Sequence, residues 1–154
     1  MRLLILLICL LGISCSGQKG ASKDKADSTI QNSKELQLVL KDNYSGVEES
    51  EFQVVRDPKA LRNFFIQINR ARKPGLPIPE VDFSKELLLI YCAGTTRGVG
   101  GSELLLIKNS QDSIVFGPKE RTPSKKEFTE VTTTPFSIYK MPLTPKEIGF
   151  HKSD

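Results

Sequence analysis

Leu87-Leu88-Leu89-Ile90-Tyr91-Cys92-Ala93 runs without a single charged side chain, and the architecture is read outward from it. Successive side chains of a strand point to opposite faces. A stretch apolar at both parities therefore predicts a central strand buried on both sides. Val81-Asp82-Phe83 leads into it. Beyond a loop, Leu104 to Ile107 offers a second apolar strand, Asn109-Ser110-Gln111-Asp112 reads as a polar turn, and Ile114-Val115-Phe116 begins a third. The three strands are expected to form a meander.

Upstream, Leu36, Leu38 and Leu40 alternate with other residues, Asn43-Tyr44-Ser45-Gly46 has turn composition, and Phe52, Val54 and Val55 follow. Two strands joined by a loop are predicted there. Asp57 is a good helix N-cap and Pro58 suits the first helical position, while Leu61, Phe64, Phe65 and Ile68 fall at i, i+3, i+4 and i+7. This predicts one amphipathic helix, ending near Arg72 because Lys73 to Pro79 holds three prolines and a glycine. Downstream, Glu130 to Met141 is rich in β-formers, and Pro135 within it points to an edge position or a bulge. The expected fold class is α+β: a largely antiparallel sheet, sandwich or half-barrel, with one main helix. Residues 34–154 are read as a single domain.

The N-terminus has another character. MRLLILLICLLGIS (1–14) carries one basic residue, an apolar run from Leu3 to Leu11 and small residues before Cys15. That order is an export signal. The run is about half the ~20 residues that span a bilayer as a helix. Leu11-Gly12-Ile13-Ser14-Cys15 is similar to a lipoprotein box, although Gly12 stands where leucine is usual and Leu11 is one place early. Cys15 is thus the expected lipid attachment point and new N-terminus; the alternative is plain secretion, with Cys15 a discarded leader residue. Several acyl chains on one residue hold a membrane far more firmly than one. Residues 15–33 are Ser, Lys, Asp, Gly and Gln with almost no large apolar side chain, and are read as a flexible tether. Such a tether reaches about 25 Å on average.

Composition excludes several functions. The formal charge of +4, or +3 once Arg2 leaves with the leader, is too mild to imply a polyanionic partner, so no nucleic acid is expected. Cys9 lies in the leader and Cys15 carries lipid, leaving Cys92 as the only cysteine inside the domain and no internal disulfide. Within an apolar strand, Cys92 is expected to pack as a small hydrophobe. The single histidine, His151, lies in the last few residues, a poor place for a catalytic base. One Cys and one His do not make a zinc site. Glu80 with Asp82, and Glu48, Glu49 and Glu51, are carboxylate groupings best read as surface charge. Lys119, Arg121, Lys125 and Lys126 form a basic stretch diluted by Glu120 and Glu127. Neither catalytic residue, metal nor cofactor is expected.

The most distinctive local feature is Thr95-Thr96-Arg97-Gly98-Val99-Gly100-Gly101-Ser102. Three glycines allow positive φ and close backbone approach, and Arg97 can offer a forked, charge-assisted contact to an anion. No Gly-Lys-Ser/Thr ending and no helix pattern follow, against a phosphate loop. Thr96, Arg97, Gly98, Gly100, Gly101 and Ser102 are the candidate protein-contact residues; the plainer reading is a strand connection with a bulge.

The stretch from Glu51 to Pro142 also carries an ordered set of motifs: EFQVVRDPKALRNFF (51–65), Val81-Asp82-Phe83-Ser84-Lys85-Glu86, LLLIYCAG (87–94), the glycine-rich loop, Thr129-Glu130-Val131-Thr132-Thr133-Thr134-Pro135-Phe136, and Ile138-Tyr139-Lys140-Met141-Pro142. In this order they resemble the C-terminal domain of the protease complex subunit PrcB family. Where that family shows Thr-Gly-Gly-aromatic, this chain has Val99-Gly100-Gly101-Ser102 and so lacks the threonine and the ring. The resemblance implies a cell-envelope lipoprotein accessory domain, in the founding case the partner of a surface protease. The expected function is non-enzymatic binding to another envelope protein from a lipid anchor on the exported side of the membrane. The alternatives are a protease inhibitor acting through the glycine loop and a structural envelope protein.

Overall fold

The computed structural model describes residues 36–120 and 131–152. The leader, Cys15, the tether, and Arg121, Lys125, Lys126, Thr129 and Glu130 lie outside the described residues. Strands are β1 (Gln37–Asp42), β2 (Glu51–Val55), β3 (Glu86–Cys92), β4 (Thr96–Arg97), β5 (Leu104–Asn109), β6 (Ser113–Pro118), β7 (Thr132–Thr133), β8 (Phe136–Pro142) and β9 (Glu147–Phe150); the helix α1 is Pro58–Ile68. The fold class is α+β as expected, mostly antiparallel with one helix and no closed barrel.

Strand β3 is the hub. It lies between β8 and β2 in a four-stranded antiparallel sheet of order β1-β8-β3-β2, and every residue from Leu87 to Cys92 is buried. Leu88, Ile90 and Cys92, joined by Phe136 and Ile138 of β8, pack against Leu61, Phe64, Phe65 and Ile68 of α1. The other parity, Leu87, Leu89 and Tyr91 with Tyr139 and Met141, packs against Leu104, Ile114 and Phe116 of a second sheet of order β5-β6-β9. A helix covers one face and a sheet the other, which is why the run is apolar throughout. Phe52 and Phe150 stack with ring centroids 4.8 Å apart, joining the sheets along one side.

The helix begins as predicted: Asp57 Oδ1 accepts the N–H groups of Lys59 and Ala60 at 2.9 Å, a cap worth about 1 kcal/mol. It stops four residues earlier than expected. Asn69 ends it, and its side chain both accepts from Leu76 N and donates to Leu76 O, clamping the proline-rich segment against the helix end.

Four other expectations are corrected. Leu87–Ala93, Leu104–Ile107 and Ile114–Phe116 form no meander: both edges of β3 are filled by β2 and β8, so β5 and β6 pair with each other in the second sheet. Nor do β1 and β2 pair. They occupy opposite edges of the first sheet, because the connector between them bonds to other chain segments, Ser45 N to Thr134 O at 2.7 Å and Thr95 N to Glu48 O at 2.9 Å. Pro135 sits neither on an edge strand nor in a bulge. It breaks the chain into β7 and β8, and β8 is an interior strand. The end of the chain around His151, read as a poor place for a catalytic base because chain ends fray, contributes β9, parallel to β6, with His151 N donating to Phe116 O at 2.7 Å.

Candidate functional site

The chain leaves β3 at Gly94, which has φ +77° and lies so close to the β1–β2 connector that a Cβ would come within 2.9 Å of Glu48 O and Ser50 N. It then forms β4, paired with β7 in a two-stranded ribbon with Thr96 opposite Thr133 and Arg97 opposite Thr132. Thr133 Oγ1 donates to Gly98 O and lies 3.1 Å from Thr96 Oγ1, while Gly98 N donates to Val131 O at 2.8 Å. Gly98, Gly100 and Gly101 all adopt positive φ, open to glycine without a steric penalty. Gly100 N donates to Asn43 Oδ1 at 3.2 Å.

The six residues expected to make contacts thus divide. Arg97 is exposed, as is its neighbour Val99; Thr96, Gly100 and Gly101 are half-buried; Gly98 and Ser102 are buried and serve the loop's own bonds. Ser102 O accepts the Ser137 hydroxyl, and Ser102 Oγ has no hydrogen-bond partner among the described residues. Val99 and Val131, each 49% exposed, flank the ribbon end. Next in the chain, Glu103 accepts from Lys41 and Lys119, both at 2.9 Å, tying β1 to the second sheet. Hydrogen bonds from these two ammonium groups draw its carboxyl down to about 2.

Adjoining the ribbon is a cleft of about 640 Å³ between the end of α1, the segment Tyr44–Gly46 and Thr134. Sequence reasoning missed it, because its walls come from three separated stretches. Thr134 Oγ1 accepts the N–H groups of Ser45 and Gly46 at 3.1 and 3.0 Å. Arg72 braces the wall: its guanidinium donates to Ile68 O, to Tyr44 O and to Asp42. Burial raises the Asp42 carboxyl, but the hydrogen bonds from Arg72 and Tyr44 N and the Arg72 charge outweigh it and leave the group lowered.

The candidate reactive groups do not converge. Cys92 faces α1, and burial pushes its thiol up to about 12, opposite to the shift a nucleophile needs. His151 is exposed beyond β9, against the other sheet. Asp82 accepts from Ser84 N and Ser84 Oγ and pairs with Lys85 at 3.0 Å, contacts that lower its carboxyl and close a turn before β3. Among the described residues no group of three or more His, Cys, Asp or Glu could hold a metal ion, and no helix is long and apolar enough to cross a membrane. Comparison with family models, with curated proteins and with solved structures gave no match.

Proposed function

We propose that this protein is a non-enzymatic cell-envelope lipoprotein, acylated at Cys15 and tethered by residues 16–33, whose domain docks another envelope protein through the end of the β4/β7 ribbon. The single observation that carries this reading is the glycine loop itself. Its backbone is bonded to β7 on one side and to Asn43 on the other, while Arg97 and Val99 face outward. A loop held in one shape loses little conformational freedom when it binds. The resemblance to the PrcB family makes a surface protease the partner of choice.

Crosslinking in intact cells tests it. A Cβ at Gly100 would meet nothing within 4 Å, so Gly100→Asp alters the loop's open side without a clash, at the modest cost of an acidic residue in the left-handed region. The wild-type chain is expected to capture one specific envelope protein, and Gly100→Asp to reduce the yield about tenfold, the effect of roughly 1.4 kcal/mol. Absence of a specific wild-type adduct, or equal yields from both chains, refutes the reading. The braced loop also suits an inhibitor entering a protease cleft; slowed turnover by the captured protease in the presence of the domain would select that version.

A further inference from the structure

We infer that the cleft beside the ribbon receives the C-terminal carboxylate of an extended peptide whose last side chain is apolar, an inference that rests on the docking reading and adds the partner's chemistry. Its lining includes two arginines, Arg70 and Arg72, and no carboxylate. The nearby Asp42 is already engaged by Arg72. Arg70 bonds only through its backbone N–H, to Gln67 O, so its guanidinium has no hydrogen bond or ion pair with any described residue. Thr134 Oγ1, having accepted two backbone N–H groups, retains its own proton to donate. The Gln67 side-chain amide adds further donors on the same wall. One fixed cation, one free guanidinium and neutral donors make a site for an anion.

The balance of charge selects the class of anion. The last carbonyls of α1 point to this end of the helix and carry about half a negative charge between them. A single uncommitted guanidinium set against that dipole matches a monoanionic carboxylate better than a phosphate dianion. The apolar part of the lining is confined to Ile68, Ala71 and the half-exposed ring of Tyr44, room for one side chain rather than an acyl tail. The volume lies within the usual range of small-ligand sites, about 300–1,000 Å³. Tyr44 follows directly on Asn43, the residue that holds Gly100, so cleft and glycine loop share one wall.

The test is calorimetric titration of the full mature chain in detergent with N-acetyl-Ala-Ala-Ala-Leu, as free acid and as C-terminal amide, with inorganic phosphate as competitor. The free acid is expected to bind at least tenfold more tightly than the amide. Arg70→Gln should remove that difference while leaving the thermal midpoint unchanged, since the guanidinium makes no hydrogen bond or ion pair with the described residues. Failure of the free acid to bind at millimolar concentration, equal affinity for both peptides, indifference to Arg70→Gln, or tighter binding of phosphate each overturns the inference. Specific crosslinking sensitive to Gly100→Asp, combined with no peptide binding, would leave the docking reading standing and remove only the cleft.

Discussion

The pentapeptide Glu-Leu-Leu-Leu-Ile occurs twice, at residues 86–90 and 103–107. Its two copies lead opposite lives. In β3 all four apolar side chains are fully buried, whereas in β5 Leu104 is buried, Leu106 is partly covered, and Leu105 and Ile107 stand 46% and 54% exposed. The copies differ in what lies around them. Between β2 and β8, with α1 above and β6 below, β3 has a partner in every direction. At the edge of a three-stranded sheet, β5 has one neighbouring strand and one covered face. Even the glutamates diverge: Glu86 pairs with Lys140 of the adjacent β8, while Glu103 is shared by Lys41 and Lys119 and bridges the sheets. Over the shared pentapeptide burial is decided by the topology around the strand, and the composition that announces full burial lies beyond it, where β3 continues through Tyr91 and Cys92 and β5 through Lys108 and Asn109.

Truncating the same leucine in each copy separates the two environments. Leu88→Ala opens a hole between β3 and α1 and is expected to cost about 3 kcal/mol, whereas Leu105→Ala, at a surface position, should change stability by less than about 0.5 kcal/mol. Paired urea unfolding curves measure both, and equal losses would show that β5 is covered in solution.

Next in size is the point where the chain turns away after β3. Gly94→Ala places a Cβ against backbone at 2.9 Å in a left-handed conformation, and a loss of about 2 kcal/mol is expected from the φ strain and the close approach together. Gly100→Ala, which shares the positive φ but meets open space, should cost less. The difference between their melting curves isolates the close approach.

The smallest effect belongs to Glu103. Its folded-state carboxyl is drawn from 4.5 to about 2, so its contribution is present above pH 4.5 and is lost as pH falls toward 2. The side chain is 42% exposed, and solvent screening holds the effect below about 1 kcal/mol. Glu103→Gln should therefore lower stability at pH 7 by up to about 1 kcal/mol, with the loss vanishing as pH falls toward 2, so that part of the acid limb of a stability–pH profile is flattened.

Local signals were legible wherever neighbours in sequence are also neighbours in space. Asp57, Pro58 and the spacing of Leu61, Phe64, Phe65 and Ile68 announce α1 because capping and amphipathicity are complete within one helix. The unbroken run at Leu87 announces a doubly buried strand. The glycine loop was visible as composition, and Thr96, Arg97 and Gly100 are found at the ribbon end. Gly98 and Ser102 looked equivalent to them in sequence, yet they are buried, because the bonds that draw them inward come from Val131, Thr133 and Ser137 more than thirty residues away.

From the chain alone come the fold class, one helix and its start, a core strand that must be covered on both sides, and an N-terminal stretch whose composition differs from that of the domain. These follow from periodicity, capping and composition, which act over a few residues. The partners of β3, the separation of β1 from β2, the break at Pro135, the parallel β9 and the arginine-lined cleft had to wait for the assembled molecule. Each depends on contacts between segments far apart in the chain, and two copies of one pentapeptide with opposite burial show that local sequence does not encode such contacts.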